Sequence, residues 1–347
     1  MTIRQIAEIA GVSKSTVSLV LNSSPLVNEK TRQKVQEVIR RTRYVPNSNA
    51  RNLSLRVNNS LGVIVLSEQM RTCDYAFSTS PGLFSYNIIR GISASLSDTE
   101  YGVGIEYFCQ TEERGALPRL VRERKVDGAL IVGGYCHEDF IERMNESGVP
   151  FVTVAVGQPE SLCDSVVSDP ARGAYLSLAH LFERGHRDIA FFNCPHSFRS
   201  SDARMSGIRQ FEEDTGFSLP DDHRIYCEHN NGESAYQAMR AAWEKGLRFT
   251  AFAAANPHIA LGAMRYLQEQ GVLIPQDVSV IAYEDNALCG YSVPALTAVN
   301  IQKETMGGLA VKTLIARISK PDKPIESIYV DQFLVERDSV RAVGENA

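Results

Sequence analysis

No apolar run in the chain approaches the roughly 20 residues that span a bilayer, so a transmembrane helix is not expected. The N-terminus, MTIRQIAEIAG, lacks the long uncharged core of a secretory signal, which points to a soluble, cytoplasmic protein. Cysteine is sparse: seven residues in an odd, unpatterned scatter argue against a disulfide framework and suit a reducing compartment. The signatures of nucleotide and acyl chemistry are missing too. Gly102-Val103-Gly104 has no third glycine and stands before a strand rather than after one. Neither a G-x-x-x-x-G-K-[ST] loop nor a G-x-S-x-G elbow occurs, so an enzyme is not expected and no cofactor is implied. Positive charge is short as well. With 36 Lys and Arg against 41 Asp and Glu, the net charge of −5 argues, taken whole, against a phosphate-binding surface.

What is present reverses that last reading. Residues 1–58 hold ten basic and three acidic side chains, a balance of +7 that leaves −12 for the remainder. A basic head on an acidic body implies two domains with different partners. The 347 residues, 44% hydrophobic and 22% charged, have the make-up of folded domains. The head reads as three short helices. Thr2 and Gln5 form a capping box for the first, with Ile3, Ile6, Ala7 and Ala10 as its apolar stripe. Gly11 ends it, Ser13 caps a second helix burying Val17, Val20 and Leu21, and Asn28 caps a third burying Val35, Val38 and Ile39. A polar connector, SNARNLSLRVNN, follows over 47–58.

Beyond residue 60 strands and helices alternate. Strands are predicted at Leu61–Leu66, Val103–Phe108, Gly128–Val132, Phe151–Val156, Ile189–Asn193, Phe249–Ala255 and Val278–Tyr283. Helices are predicted at 84–97, 112–124, 138–147, 172–184, 203–214, 233–245 and 257–270. Continuous apolar strands between amphipathic helices indicate parallel sheets covered on both faces, and about 280 residues of this divide best into two lobes. The segment 67–82 reads as a long polar loop, either disordered or a lid.

The strongest local signal is IRQIAEIAGVSKSTVSLVLN over residues 3–22. Ala7 where two helices touch, Gly11 in the turn and Val17 in the second helix are the helix-turn-helix arrangement. A plain helical hairpin has the same spacing, but the charge of the head favours DNA. The sequence resembles the LacI/GalR family of bacterial transcription regulators over nearly its whole length. The likeness runs through IAEIAGVSKSTVSLVLN, VNEKTRQKVQEVIRRTRYVPN and NARNLS, then LGVIV, VDGALIVGG, HLFERGHRDIAF, ARMSGIRQF, VSVIAYEDN, PALTAVNI and LVERDSV. The resemblance implies an all-α helix-turn-helix head (1–46), a hinge (47–58) and a two-lobed, doubly wound α/β body (59–340) like a periplasmic sugar-binding protein. The expected lobes are about 60–160 plus 294–322, and about 161–293 plus 323–340.

On the DNA side, Lys14, Ser15 and Leu19 fall at the family's base-reading positions. Lys14 suits guanine O6/N7 or a phosphate, Ser15 suits either donors or acceptors, and Leu19 offers only apolar contact. Thr16 and Asn22, with Ser13, hold phosphates or cap helices. The resemblance further implies that the hinge folds when two copies pair over a near-palindromic operator, with Leu53 wedged between base steps and Ala50 and Arg51 packing the pair. An ordinary flexible linker is the plainer reading.

On the effector side, ligands of open α/β sheets sit beyond the carboxyl ends of strands. Phe84, Arg204, Asn256 and Glu284 lie at such places and map onto the family's effector contacts. A fork-shaped cation, an amide, a carboxylate and a ring suit a polyhydroxylated ligand, so a sugar effector is expected, with a nucleobase or other small metabolite as the alternative. A structural Glu284–Arg204 ion pair and a core Phe84 are the plainer readings. The family often has aspartate at the position of Glu284 and an acidic or aromatic contact near Ala155 and Val156. Cys194-Pro195-His196 and Cys227-Glu228-His229 repeat a Cys-x-His spacing, but no metal is expected because the pattern is not that of a zinc finger. RAVGENA after LVERDSV leaves no heptad segment, so a homodimer is expected. The chain thus reads as a sugar-binding, ligand-responsive transcription repressor.

Overall fold

The computed structural model describes residues 1–21, 24–44, 58–66, 81–109, 115–134, 136–156, 162–195 and 199–344. The chain forms two compact units, Met1–Asn58 and Asn59–Ala347. Among the described residues no helix is long and apolar enough to cross a membrane.

In the first unit, helices α1 (Ile3–Ala10), α2 (Lys14–Leu21) and α3 (Glu29–Thr42) enclose Ile6, Ala7, Ala10, Val17, Val20, Val27, Val35 and Val38. Each helix starts where a side chain satisfies an orphan backbone donor. The Thr2 hydroxyl accepts from Gln5 N–H, and the Gln5 side chain returns a bond to Thr2 N–H at 2.8 Å. Ser13 Oγ accepts from Thr16 N–H at 3.0 Å, and Asn28 Oδ1 accepts from Thr31 N–H at 2.8 Å. Gly11 closes α1 at φ 60°, a left-handed turn that an L side chain adopts only at a cost.

The second unit holds two six-stranded sheets. The first contains β1 (Ser60–Leu66), β2 (Gly102–Phe108), β3 (Gly128–Val132), β4 (Phe151–Val154), β5 (Asp164–Val167) and β11 (Ser327–Tyr329), in the order β11-β5-β4-β3-β1-β2. The second contains β6 (Ile189–Asn193), β7 (Arg224–Tyr226), β8 (Ala251–Ala254), β9 (Ser279–Tyr283), β10 (Thr297–Asn300) and β12 (Phe333–Val335), in the order β12-β10-β9-β8-β6-β7. Pairing is parallel throughout, apart from the antiparallel β10–β12 ladder.

Helices cover both faces, as continuous burial of β3, β6, β8 and β9 requires. On the first sheet, α4 (Pro81–Leu96) and α12 (Lys303–Ser319) pack on one face, with α5 (Arg119–Arg122) and α6 (Glu138–Glu146) on the other. On the second, α7 (Pro170–Glu183) and α8 (Arg199–Thr215) pack on one face, with α9 (Gly232–Glu244) and α10 (Pro257–Glu269) on the other. A short helix, α11 (Ala287–Tyr291), follows β9. Among the described residues three helix pairs meet backbone to backbone, one of them α9–α10 at Gly232 and Gly262. A Cβ at Gly91 would overlap the Glu304 carbonyl across α4–α12, and one at Gly207 would overlap the Ala171 carbonyl across α7–α8.

Strand pairing shifts the lobe bounds expected from the sequence. Residues 164–167 and 327–329 hydrogen-bond into the first sheet, whereas 297–300 belong to the second. The chain therefore crosses between lobes after β5, after β10 and after β11. These strands are three or four residues long, too short to show a period. The segment 67–82 also ends earlier than expected, because α4 already begins at Pro81; residues 67–80 lie outside the described ones.

Candidate functional site

In the head, α2 presents Lys14 and Ser15 to solvent. Ser15 Oγ and Thr16 Oγ1 lie 2.7 and 2.9 Å from Ser13 Oγ, so the serine that caps the helix also orders the hydroxyls of its first turn. Thr16 is half-buried. Leu19 is half-buried as well and packs on the head's core, so only part of its surface is open to a base edge. Asn22, Ala50, Arg51 and Leu53 lie outside the described residues.

In the second lobe, parallel strands bring polar side chains to their carboxyl ends. Chain leaving β6 carries Cys194, chain leaving β8 carries Asn256, chain leaving β9 carries Glu284, and chain leaving β10 carries Lys303. Arg204, from α8, is only 4% exposed. Its Nη1 donates to Ser200 Oγ at 3.3 Å and to Cys194 Sγ at 3.7 Å, and its guanidinium lies 5.3 Å from the centre of the Tyr283 ring. Its Nε is buried with no hydrogen-bond partner among the described residues. Asn256 is 2% exposed and already engaged: Oδ1 accepts from Ile259 N–H at 3.0 Å, capping α10, and Nδ2 donates to Asn230 Oδ1 at 2.5 Å. The amide expected to offer donor and acceptor to a ligand has thus committed its oxygen to the helix.

Glu284 and Arg204 form no ion pair, and the Glu284 carboxylate has no hydrogen bond to any described residue. Burial raises the Glu284 carboxyl above its ordinary range, against the opposing pull of Lys303 and Arg204. Glu284 sits at φ 71°, and Ala155 (φ 55°) and Gln302 (φ 52°) are also left-handed. For side chains with a Cβ this is backbone strain, and these three of the six such residues described lie just beyond strand ends. Phe84 is half-buried against Tyr283, Val299 and Ile301, so its core reading holds in part.

Lys303 was not anticipated from the sequence. It is 5% exposed, donates to the Asp285 and Glu284 carbonyls at 3.1 and 3.5 Å, and places its ammonium 5.5 Å from the Phe84 ring centre. Since α12 belongs to the first lobe and Asp285 follows β9, this one side chain ties the two lobes at a crossing. The strand-end rule would have found it had Thr297–Asn300 been assigned as a strand. Tyr283, Ser200 and Asn230 escaped for a different reason, being partners that only the folded arrangement brings together. Ser168 Oγ lies 3.2 Å from Tyr283 Oη, which spans from β9 to the end of β5.

Cys194 and Cys227 are buried, and burial pushes the Cys227 thiol up to about 12. Among the described residues no three His, Cys, Asp or Glu side chains gather as metal ligands, and His196 lies outside them. Two open depressions adjoin the chain around the cluster among the described residues. One of about 450 Å³ is bordered by Asp285, Asn286, Tyr291 and Arg337, and another of about 380 Å³ by Tyr226, His229 and Glu233.

Residues 2–47 match the family model described as bacterial regulatory proteins, lacI family, and residues 178–340 match a periplasmic binding protein-like domain. The chain is 29% identical over 342 residues to the HTH-type transcriptional repressor PurR of Salmonella paratyphi B, covering 98% of this chain and 96% of that one. Among solved structures, a transcriptional regulator CelR–cellobiose complex is 26% identical with a TM-score of 0.70, over 98% of this chain and 99% of that one. The lac repressor dimer bound to operator and the anti-inducer ONPF shares the fold at a TM-score of 0.81, with 23% identity over 99% of both chains. An Enterococcus faecium regulator with bound ribose is 25% identical, with a TM-score of 0.67, over 81% of this chain and 99% of that one.

Proposed function

We propose that the chain is a ligand-responsive DNA-binding transcription repressor of the lacI family of bacterial regulatory proteins, and that its effector is a sugar-class molecule held at the second-lobe strand ends. The observation that carries the reading is the buried Arg204 guanidinium, whose Nε lacks a partner among the described residues at the strand-end site where a two-lobed α/β body takes its ligand. Cellobiose and ribose in two of the similar structures support the ligand class. A planar, nucleobase-like effector is the second reading, favoured by the rings of Phe84 and Tyr283 that flank the Lys303 and Arg204 cations.

The DNA-reading residues are Lys14, Ser15 and the open part of Leu19, with Thr16 and Asn22 on the backbone and Ala50, Arg51 and Leu53 at the operator's centre. A homodimer on a near-palindromic site follows from the two-fold logic of such heads. Its body contact is the edge of the first sheet, where Val103, Ile105 and Tyr107 form an apolar row 42–55% exposed. Effector binding changes the relation of the lobes, which Lys303 ties together, and the change reaches the heads through residues 47–58. The test is genomic footprinting of the full chain, followed by gel-shift titration of the recovered site with a sugar panel. An inverted repeat whose binding responds to a sugar supports the proposal. A site indifferent to every sugar but sensitive to a nucleobase would replace it with the second reading.

A further inference from the structure

We propose that the effector carries an anionic oxygen group, a carboxylate or a phosphate monoester, that docks on Arg204. This rests on the reading of the strand-end cluster as the effector site. The argument is a tally of buried charge. Arg204 is nearly inaccessible, and its bonds go to a hydroxyl (Ser200) and a sulfur (Cys194), with Nε unmatched. Burial keeps the Cys194 thiol protonated, so neither partner carries a compensating charge. Lys303 adds a second buried cation, and its bonds go to neutral carbonyl oxygens.

The acids nearby are otherwise occupied. Asp285 is paired with Arg337 at 2.8 Å and accepts from Asn300 at 3.2 Å, while Asp169 caps α7 through Ala171 and Arg172 N–H. Among the described residues Glu284 faces both cations, and a single carboxylate balances only one of them. Counted over its described residues, the cluster therefore holds an excess positive charge away from water, a costly arrangement that an arriving anion would relieve. Ala155 and Val156, at the end of β4, add no acid to this tally.

A neutral hydroxyl would satisfy the geometry of Nε–H and leave the charge uncompensated. A carboxylate or phosphate would satisfy both, through charge-assisted bonds to the guanidinium fork that are about twice as strong as neutral ones.

The experiment is a thermal-shift titration of the full chain at constant ionic strength with glucose, glucuronate, glucose 6-phosphate and inorganic phosphate. Wild type is compared with Arg204→Met and Arg204→Lys. The expected result is stabilisation by glucuronate or glucose 6-phosphate at concentrations at least about tenfold below those needed for glucose. The preference is lost in Arg204→Met and weakened but kept in Arg204→Lys. The arm that responds distinguishes carboxylate from phosphate. Without ligand, Arg204→Met melts a few degrees above wild type, because an unpaired buried cation has been removed.

Equal binding of glucose and its charged derivatives would overturn the anionic effector and leave the sugar reading standing. Equal stabilisation by inorganic phosphate and glucose 6-phosphate would keep the charge and overturn the sugar. No shift with any probe, together with an Arg204→Met that melts below wild type, would overturn the charge argument itself.

Discussion

Asp164 is the clearest place to test how the crossing chain is held. Its carboxylate is wholly buried on β5, receives two bonds from Arg317 at 2.8 and 2.9 Å and one from Glu326 N–H at 2.9 Å, and has Lys323 at 3.7 Å. Through Glu326 it fastens the segment leading into β11 to the first sheet. Asp164→Ala leaves the Arg317 guanidinium beside an empty site and orphans the Glu326 N–H. Breaking a buried pair costs about 3–5 kcal/mol and an orphaned donor about 1 kcal/mol. Arg317 retains bonds to three carbonyls and is 14% exposed, which returns part of that cost. We therefore expect a net loss of about 4 kcal/mol, or about 8 °C in a calorimetric melt of a body this size.

The pH dependence gives the same interaction a second signature. Burial favours the neutral acid, but the bonds from Arg317 and Glu326 and the charge of Lys323 outweigh it and hold the carboxyl below the usual aspartate range. A carboxyl depressed in the folded state contributes fully above its unfolded value, about pH 4, and loses that contribution as pH falls through its lower folded value. The gap between wild type and Asp164→Asn is therefore full near neutral pH and closes as pH falls below about 4. A double replacement, Asp164→Leu with Arg317→Met, should restore most of the stability. An Asp164→Ala protein that melts with wild type, or an Asp164→Asn gap unchanged down to pH 3, would refute this account of the pair.

Three further outcomes follow from the same structure. Gly207→Ala forces α7 and α8 apart at the Ala171 carbonyl and should lower stability by about 1–3 kcal/mol in urea unfolding. Ile105→Asp on the edge strand should turn a dimer into a monomer by light scattering and weaken operator binding with it; an unchanged mass would move the dimer contact elsewhere. Leu53→Ala should reduce operator affinity by about tenfold or more in a gel-shift titration while the body melts as before, and unchanged affinity would remove the wedge.

Much of this architecture was legible in the chain. Thr2, Gly11, Ser13 and Asn28 announced the helix ends of the head, because capping chemistry is local. The long strands, such as Ile189–Asn193, showed themselves as runs of apolar residues buried on both faces. The short strands were not legible, since Arg224–Tyr226 or Ser327–Tyr329 acquires strand geometry only from its neighbours. Helix Lys303–Ser319 was not among the predicted helices; it carries two poor helix formers, Gly307 and Gly308, of which Gly307 is what lets α12 approach α4. At the site, Arg204 and Glu284 were found from their places after strands, but their lack of mutual pairing depends on side-chain geometry that spacing does not encode. The capping role of Asn256 was legible in Asn256-Pro257, a helix-start signal, and was passed over for a ligand role.

The central claim is that the strand-end cluster controls DNA binding. It is tested most directly by fluorescence anisotropy on the operator recovered by footprinting, titrated with glucose, glucuronate and glucose 6-phosphate in wild type and Arg204→Met. The account predicts that one of the charged sugars changes wild-type operator affinity by about 5–150-fold, the range of an ordinary coupling energy. Arg204→Met should bind the same operator and no longer respond. A variant that responds as wild type does, or a wild type whose operator affinity none of these ligands alters, would contradict it.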